Sequence, residues 1–370
     1  GQAGWAIVFH RDESKEVQDA LSPLVEHRRA QIGDQRTKVL RVRPDEVWRD
    51  WLARYGVGAG SVDPAQVPYY LLLVGDPDKI PYKFQYLLDV EYAVGRLNFD
   101  TPAEYTRYAQ SVIEYETSTK VAHGKTAVFF GTRHAFDPAT RLSADRLVRP
   151  LAGGIPEART RPAQPGVAER WGYVTRMLWG NRATKATLGE VFRSPDGTKA
   201  PAFVFSATHG VGWPPGHADQ VALQGALLCQ DWSGFGQIDK DHYFAGADLP
   251  DDARVHGLVS FHFACFSAGT PRRDNFVHEP GQPPPEMARA SFVATLPKRL
   301  LAHPKGGALA TIGHVERAWG YSIESPDAGP QLLPFQNTIG RILTGQPVGY
   351  AVKDVHERYA ALSTNLSTLL

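Results

Sequence analysis

Cysteine is scarce in this chain: Cys229 and Cys265 are the whole complement. Two thiols cannot build a disulfide framework, so the fold is expected to rest on its core and to suit a reducing, cytoplasmic setting. Long apolar runs are missing too. None approaches the roughly 18 residues that cross a bilayer, so no membrane partner is expected. No basic leader precedes an apolar block, as a secretory signal would require. The chain opens at Gly1 without Met, which leads us to expect that something upstream was removed. Excess charge is also lacking: 40 Lys and Arg stand against 39 Asp and Glu. With that balance no global field recruits nucleic acid or an anionic surface. The 13 histidines show no zinc spacing, and neither HExxH nor CxxC occurs. No metal or cofactor is therefore expected.

What is present is core material. Of the 370 residues, 42% are hydrophobic and 21% charged, the balance of a folded chain with one large domain or two ordinary ones. Short apolar runs of strand length recur: Gly4–His10, Thr37–Val42, Tyr69–Gly75, Asp89–Leu97, Lys125–Gly131, Pro201–Gly210, Leu258–Gly269 and Gly306–Gly313. Helical spacing separates them over Ser14–Ile32, Pro44–Leu52, Pro102–Lys120, Arg141–Leu151, Val167–Leu178, Ala288–Leu301, Pro334–Leu343 and Val348–Leu362. Strands alternating with helices predict an α/β fold, a mostly parallel sheet with helices on both faces. A boundary near Val121–Lys125 divides it into a smaller α/β unit, residues 1–124, and a larger one, residues 125–370. GVGAG at 56–60 follows a helix rather than a strand, so it reads as a connector and not a dinucleotide loop.

Parallel sheets bind ligands beyond the carboxyl ends of their strands. Two strands end there in reactive side chains. PAFVFSATHG runs into His209-Gly210, and LVSFHFACFSAG runs into Cys265. If these strands are neighbours, a thiol and an imidazole emerge together, the minimum for cysteine-nucleophile chemistry. The small residues Ser267 and Gly269 after Cys265 leave room for a substrate. The amides of Gly210 and Cys265 are candidates for holding a developing oxyanion. Cys229, inside ALLCQDW, reads as core packing. His262 lies within its strand and reads as a core histidine. His123-Gly124 stands at a strand start, the wrong end for a site. Asp76 and Asp78 flank Pro77 in a turn.

These residues resemble a family. Thr208-His209-Gly210 and Phe263-Ala264-Cys265 are similar to the His-Gly and Ala-Cys signatures of the caspase-like (clan CD) cysteine peptidases. LLLVGDPDKIPY (Leu71–Tyr82) followed by DVEYAVGRL (Asp89–Leu97) resembles the gingipain-type branch, and the likeness runs from about Gly4 to Ala360. The resemblance implies a caspase-like three-layer sandwich preceded by a smaller α/β subdomain. It implies an endopeptidase acting on protein or peptide substrates without a cofactor. Cys265 would be the nucleophile and His209 the general acid. Glu91, four residues before Gly95, would support the histidine, with Asp89 its near competitor. Trp319 would wall the specificity pocket. Asp100 is the candidate floor for an Arg or Lys side chain, while Arg317 keeps open a caspase-type acidic preference. The Pro-rich loop Pro271–Pro285, with Arg272-Arg273, occupies the place of an activation linker. Cleavage there, by an upstream activator or by the enzyme itself, is expected to control activity. The excursion from Val211 to Arg254 would form a second wall, and family analogy extends to a bacterial defence cascade. Two rival readings stand beside this one: a caspase-like scaffold without catalysis, and a Cys-dependent hydrolase or transferase of non-peptide acyl groups.

Overall fold

The computed structural model describes residues 3–120, 123–159, 162–194, 199–276, 281–325 and 327–369. Its frame is a pair of parallel sheets. The first is formed by β1 (Trp5–His10), β2 (Thr37–Val42), β3 (Tyr70–Val74) and β4 (Ala93–Leu97), in the order β2-β1-β3-β4. Side chains alternate across it, as the two-residue period of a strand requires. Ala6, Val8, Leu71 and Leu73 pack against α2 (Trp48–Arg54) and α3 (Tyr82–Asp89). Ile7, Phe9 and Val74 face the other way, against α1 (Lys15–Ile32) and α4 (Pro102–Thr117). Ser14 starts α1 by accepting the Val17 N–H, and Gly33 closes it in a left-handed conformation.

The second sheet has five strands: β5 (His123–Gly131), β6 (Val174–Trp179), β7 (Ala200–Ala207), β8 (Val259–Phe263) and β9 (Ala310–Gly313). Their order is β9-β8-β7-β5-β6, with every pairing parallel. One face carries Phe129, Phe203, Phe205, Phe261 and Phe263, packed with Leu147, Leu151 and Phe335. The other carries Val128, Phe130 and Val204, covered by Leu188, Val191 and Phe192 of α6 (Lys185–Arg193) and Leu296 and Leu300 of α7 (Thr295–Leu301). Each buried Phe contributes about 2–3 kcal/mol of transfer free energy. The result is the expected mixed α/β architecture, helices on both sides of a parallel sheet.

The two sheets are joined tightly. Arg107 and Tyr108 of α4 donate to the carbonyls of Ala302 and Leu309. Tyr82 of α3 donates to the Phe292 carbonyl at 2.8 Å. β5 begins at His123; residues 121 and 122, inside the expected boundary, lie outside the described residues.

Several local expectations are corrected. Val167–Leu178 is not a helix: a short turn ends at Gly172, which takes a left-handed φ of 73°, and β6 follows. Its Arg, Met and Leu are good helix formers, but β6 is a sheet edge and pairing with β5 overrides propensity. Pro44 does not open α2, which starts at Trp48 after Asp45 turns left-handed. The segment before β4 holds α3, so the strand expected from Asp89 begins only at Ala93. Within Ala288–Leu301 only Thr295–Leu301 is helical, because Phe292-Val293 pairs antiparallel with Gly269-Thr270.

Candidate active site

Neighbouring parallel strands β7 and β8 place the two reactive residues. Their register pairs Ala207 with Phe263, and the Thr208 N–H still donates to the Phe263 carbonyl. His209 and Cys265 are each two residues past that register pair, so both leave the sheet at the same edge. Gly210 is packed directly on the Cys265 backbone: a Cβ there would meet the Cys265 carbonyl oxygen at 1.7 Å. Only glycine fits such an approach.

Cys265 is half-buried, and burial pushes its thiol above the ordinary cysteine range. Opposing that are the Ala318 N–H, the Arg317 charge, and the N–H groups of Cys265 and Gly210. The Ala318 N–H reaches the sulfur at 3.3 Å. Donors for the thiolate are thus already in place around the sulfur. Both amides named as oxyanion candidates, Gly210 and Cys265, lie at the sulfur.

His209 is engaged by a carboxylate that the sequence reading passed over. Its Nε2 is 2.6 Å from Oδ2 of Asp137. Asp137 caps α5 (Pro138–Ser143), accepting the Ala139 N–H at 3.0 Å. Burial works to raise the Asp137 pKa, but the His209 charge and hydrogen bonds from Thr140, His209 and Ala139 outweigh it and hold it below the ordinary carboxylate value. With Nε2 occupied, Nδ1 is the nitrogen left for chemistry. The available sequence signal was Asp137-Pro138 after an apolar strand, a helix-start pattern. Its approach to a residue 72 positions away was not in the pattern.

Glu91 stands elsewhere. It precedes β4 in the first sheet, where its Oε1 accepts the Gly60 N–H at 2.8 Å and secures the glycine-rich connector. Asp89, its competitor, accepts the Val94 N–H and faces His356 at 3.7 Å. Neither carboxylate is a hydrogen-bond partner of His209, because the first sheet does not border β7. Asp100 is an exposed residue ion-paired with Lys298 of α7.

The chain leaving β9 forms a wall against Cys265. Glu316 and Phe266, both with positive φ, hydrogen-bond through Phe266 N–H and Glu316 carbonyl at 2.6 Å. Two non-glycine residues in that region cost about 1–3 kcal/mol each, and such strain gathers at functional sites. Behind the wall sit the buried carboxyls Asp274 and Glu316. Arg317 grips Asp274 through both terminal nitrogens and also pairs with Glu316. Its guanidinium lies over the Phe276 and Trp319 rings, which meet edge to face at 5.1 Å. Burial, with the Asp274 carboxyl beside it, raises Glu316 to about 7. For Asp274, the Arg317 and backbone donors overcome burial and lower the pKa. Trp319 is 43% exposed and next in sequence to the residue that touches the sulfur. A large cleft between the two sheets reaches Glu316, Arg317 and Trp319; Cys265 and His209 do not line it.

The expected linker is partly an ordered hairpin. Arg273 bridges Glu286, the Asp274 N–H donates to Pro285, and the Met287 N–H donates to Arg272. Residues 277–280 of that loop lie outside the described residues. Among the described residues, no cluster of three or more His, Cys, Asp or Glu could hold a metal, and no helix is long and apolar enough to cross a membrane.

No family model matches the chain, and no curated protein does. Among solved structures, one described as "Structure of Protease" aligns with 97% of this chain and 74% of its own, with a TM-score of 0.52 and 13% sequence identity. The chain has a protease-like fold. At that identity the likeness is one of architecture alone, and the chemistry has to be argued from the residues above.

Proposed function

We propose that this chain is a cysteine endopeptidase of the caspase-like, gingipain-type kind, acting on protein or peptide substrates. The observation that carries the reading is the joint exit of Cys265 and His209 from adjacent strands, with Asp137 on the far nitrogen of the imidazole. The solved protease of the same fold supports it.

Substrate entry excludes water, and the Cys265 proton passes to His209 Nδ1 as the sulfur attacks the scissile carbonyl carbon. The oxygen that gains charge accepts hydrogen bonds from the N–H groups of Gly210 and Cys265, donors worth about 3 kcal/mol each in a dry site. Collapse breaks the C–N bond, and His209 Nδ1 returns the proton to the departing amine. A thioester remains. Water then attacks it, His209 takes the water proton and returns it to the sulfur, and the acid leaves. Asp137 keeps the ring oriented and stabilises the imidazolium. It replaces Glu91 in that role.

A basic residue before the scissile bond is favoured over an acidic one. Arg317, the cation an acidic side chain would need, is already committed to Asp274 and Glu316. Two carboxyls against one guanidinium leave the wall beside Trp319 net negative once Glu316 ionises. These residues take the place that Asp100 held in the sequence reading. Any processing of the loop at Arg272-Arg273 requires the hairpin to open first, since both residues pair across it. The decisive experiment is digestion of a randomised, internally quenched peptide library by wild type and Cys265→Ala. The reading requires cleavage by the first, concentrated after Arg or Lys, and none by the second. Equal turnover by both would remove Cys265 from the chemistry.

A further inference from the structure

The surface beside His209 carries two large aromatic side chains that the reaction above does not use. Phe136 is 71% exposed and Phe235 60% exposed, with ring centroids 4.7 Å apart. Core packing does not account for them, because most of each ring faces solvent. Their place is set from below. Phe136 directly precedes Asp137, the carboxylate on His209. Phe235 comes from the excursion after β7, whose base is tied to the same spot: Leu228 N–H donates to the His209 carbonyl at 2.9 Å. Gln230 exchanges hydrogen bonds with the Arg133 backbone in both directions, 2.7 and 3.1 Å. Beneath the pair, Trp232 meets the buried His134 edge to face at 5.2 Å. Two separate segments are thus zipped together so that each presents a phenylalanine at one rim.

We infer that Phe136 and Phe235 form a subsite for an apolar side chain immediately after the scissile bond. The inference rests on the peptidase reading and adds to it a preference on the leaving side. The imidazole must hand its proton to the departing amine, so the residue carrying that amine lies on the His209–Asp137 side of the sulfur. Trp319 and the Asp274–Glu316 pair belong to the other wall, at Ala318. An extended peptide therefore offers its first leaving-side residue to the aromatic pair. A Leu or Phe there buries apolar surface against both rings, while an Asp loses hydration against them.

The test uses the whole chain and one peptide that wild type cleaves, synthesised with Leu, Ser or Asp after the scissile bond. The readout is kcat/KM for each, by mass spectrometry. Wild type is expected to favour Leu over Asp by about tenfold or more, the scale of discrimination by an apolar pocket. Phe136→Ser and Phe235→Ser should each shrink that ratio toward one, and Phe136→Lys should turn it toward Asp. Phe136→Leu should retain it. A ratio that the Ser and Lys variants leave unmoved, or a wild type indifferent to the residue, overturns the subsite while the peptidase reading stands. No cleavage of any library peptide by wild type overturns both.

Discussion

The two sheets of this molecule are built alike and end differently. Each is parallel, and each sends loops outward from the carboxyl ends of its strands, where such folds place their ligands. In the first sheet that edge is closed by the chain itself. Arg96 of β4 turns inward and donates to the carbonyls of Gly75 at 3.1 Å and Ile80 at 2.6 Å, and to Gln85 at 3.0 Å. Its guanidinium thereby fastens the turn after β3. In the second sheet the corresponding edge is left for Cys265, His209 and Asp137, each following a different strand. The pairing of GDPDKIP with Gly95-Arg96 that marks the first unit is thus a structural clasp. One architecture supplies both a sealed edge and one that carries a thiol, an imidazole and a carboxylate, and local polar groups decide which.

Replacing the proposed nucleophile tests the difference most severely. Cys265→Ala is expected to abolish peptide cleavage and leave the circular dichroism spectrum and melting temperature close to wild type. The other cysteine sharpens the contrast. Cys229 is fully buried, donates to the Leu227 carbonyl at 3.4 Å, and has its thiol held far above the usual range by burial. Iodoacetamide should label Cys265 in the folded chain, with a rate that rises with pH past the ordinary thiol midpoint. Cys229 should react only after denaturation. Equal labelling of both would remove the distinction.

Asp137→Asn comes next. It keeps the size and removes the charge that steadies the imidazolium, so kcat should fall by about 10²–10⁴, with a much smaller change in KM. Glu91→Gln should leave kcat within about twofold, since Glu91 serves the connector in the first sheet. The reverse pattern would restore Glu91 as the partner of His209.

On the sealed edge, Arg96→Met should cost about 3 kcal/mol by urea denaturation, because it strips two carbonyls of their donor. Alkylation of Cys265 in the folded variant should proceed at nearly the wild-type rate. The smallest effect belongs to Glu316. Its folded pKa, raised to about 7, lies above that of an unfolded Glu. The proton it keeps therefore stabilises the folded state fully at low pH, and this contribution fades as pH climbs from about 4.5 through 7. Melting temperature should decline over that window in wild type and decline less in Glu316→Gln. Identical slopes would mean that Glu316 titrates normally.

Much of this was legible in the residues. The Val- and Phe-rich runs at β7 and β8 reported buried strands, and the small residues closing them reported exits at a sheet edge. Cys265, His209 and Gly210 could be nominated because nucleophile chemistry needs few residue types in few places, and the strands bring them to one edge. Trp319 was nominated through resemblance, and it stands partly exposed beside Arg317 and Phe276. What escaped depended on partners far along the chain. β6 was masked because an edge strand of Arg, Met and Leu carries a helical propensity that only pairing overturns. Asp137 carries the local signal of a helix cap, and is one; its contact with His209 arises only when β5 and β7 lie together. The Asp274–Glu316–Arg317 cluster had no local signal, since burying two carboxyls beside one guanidinium is a product of the loop folding back on the wall.

The order of apolar runs and turns was enough to determine a parallel α/β chain and to nominate a thiol and an imidazole. Such features are local, set by period and backbone conformation. Which carboxylate meets the imidazole, which cation is already paired, and which aromatics stand together at the surface were decided by tertiary structure. Hydrogen bonds and ion pairs form between whatever side chains the packing brings within about 3 Å, and separation along the chain carries no record of that distance.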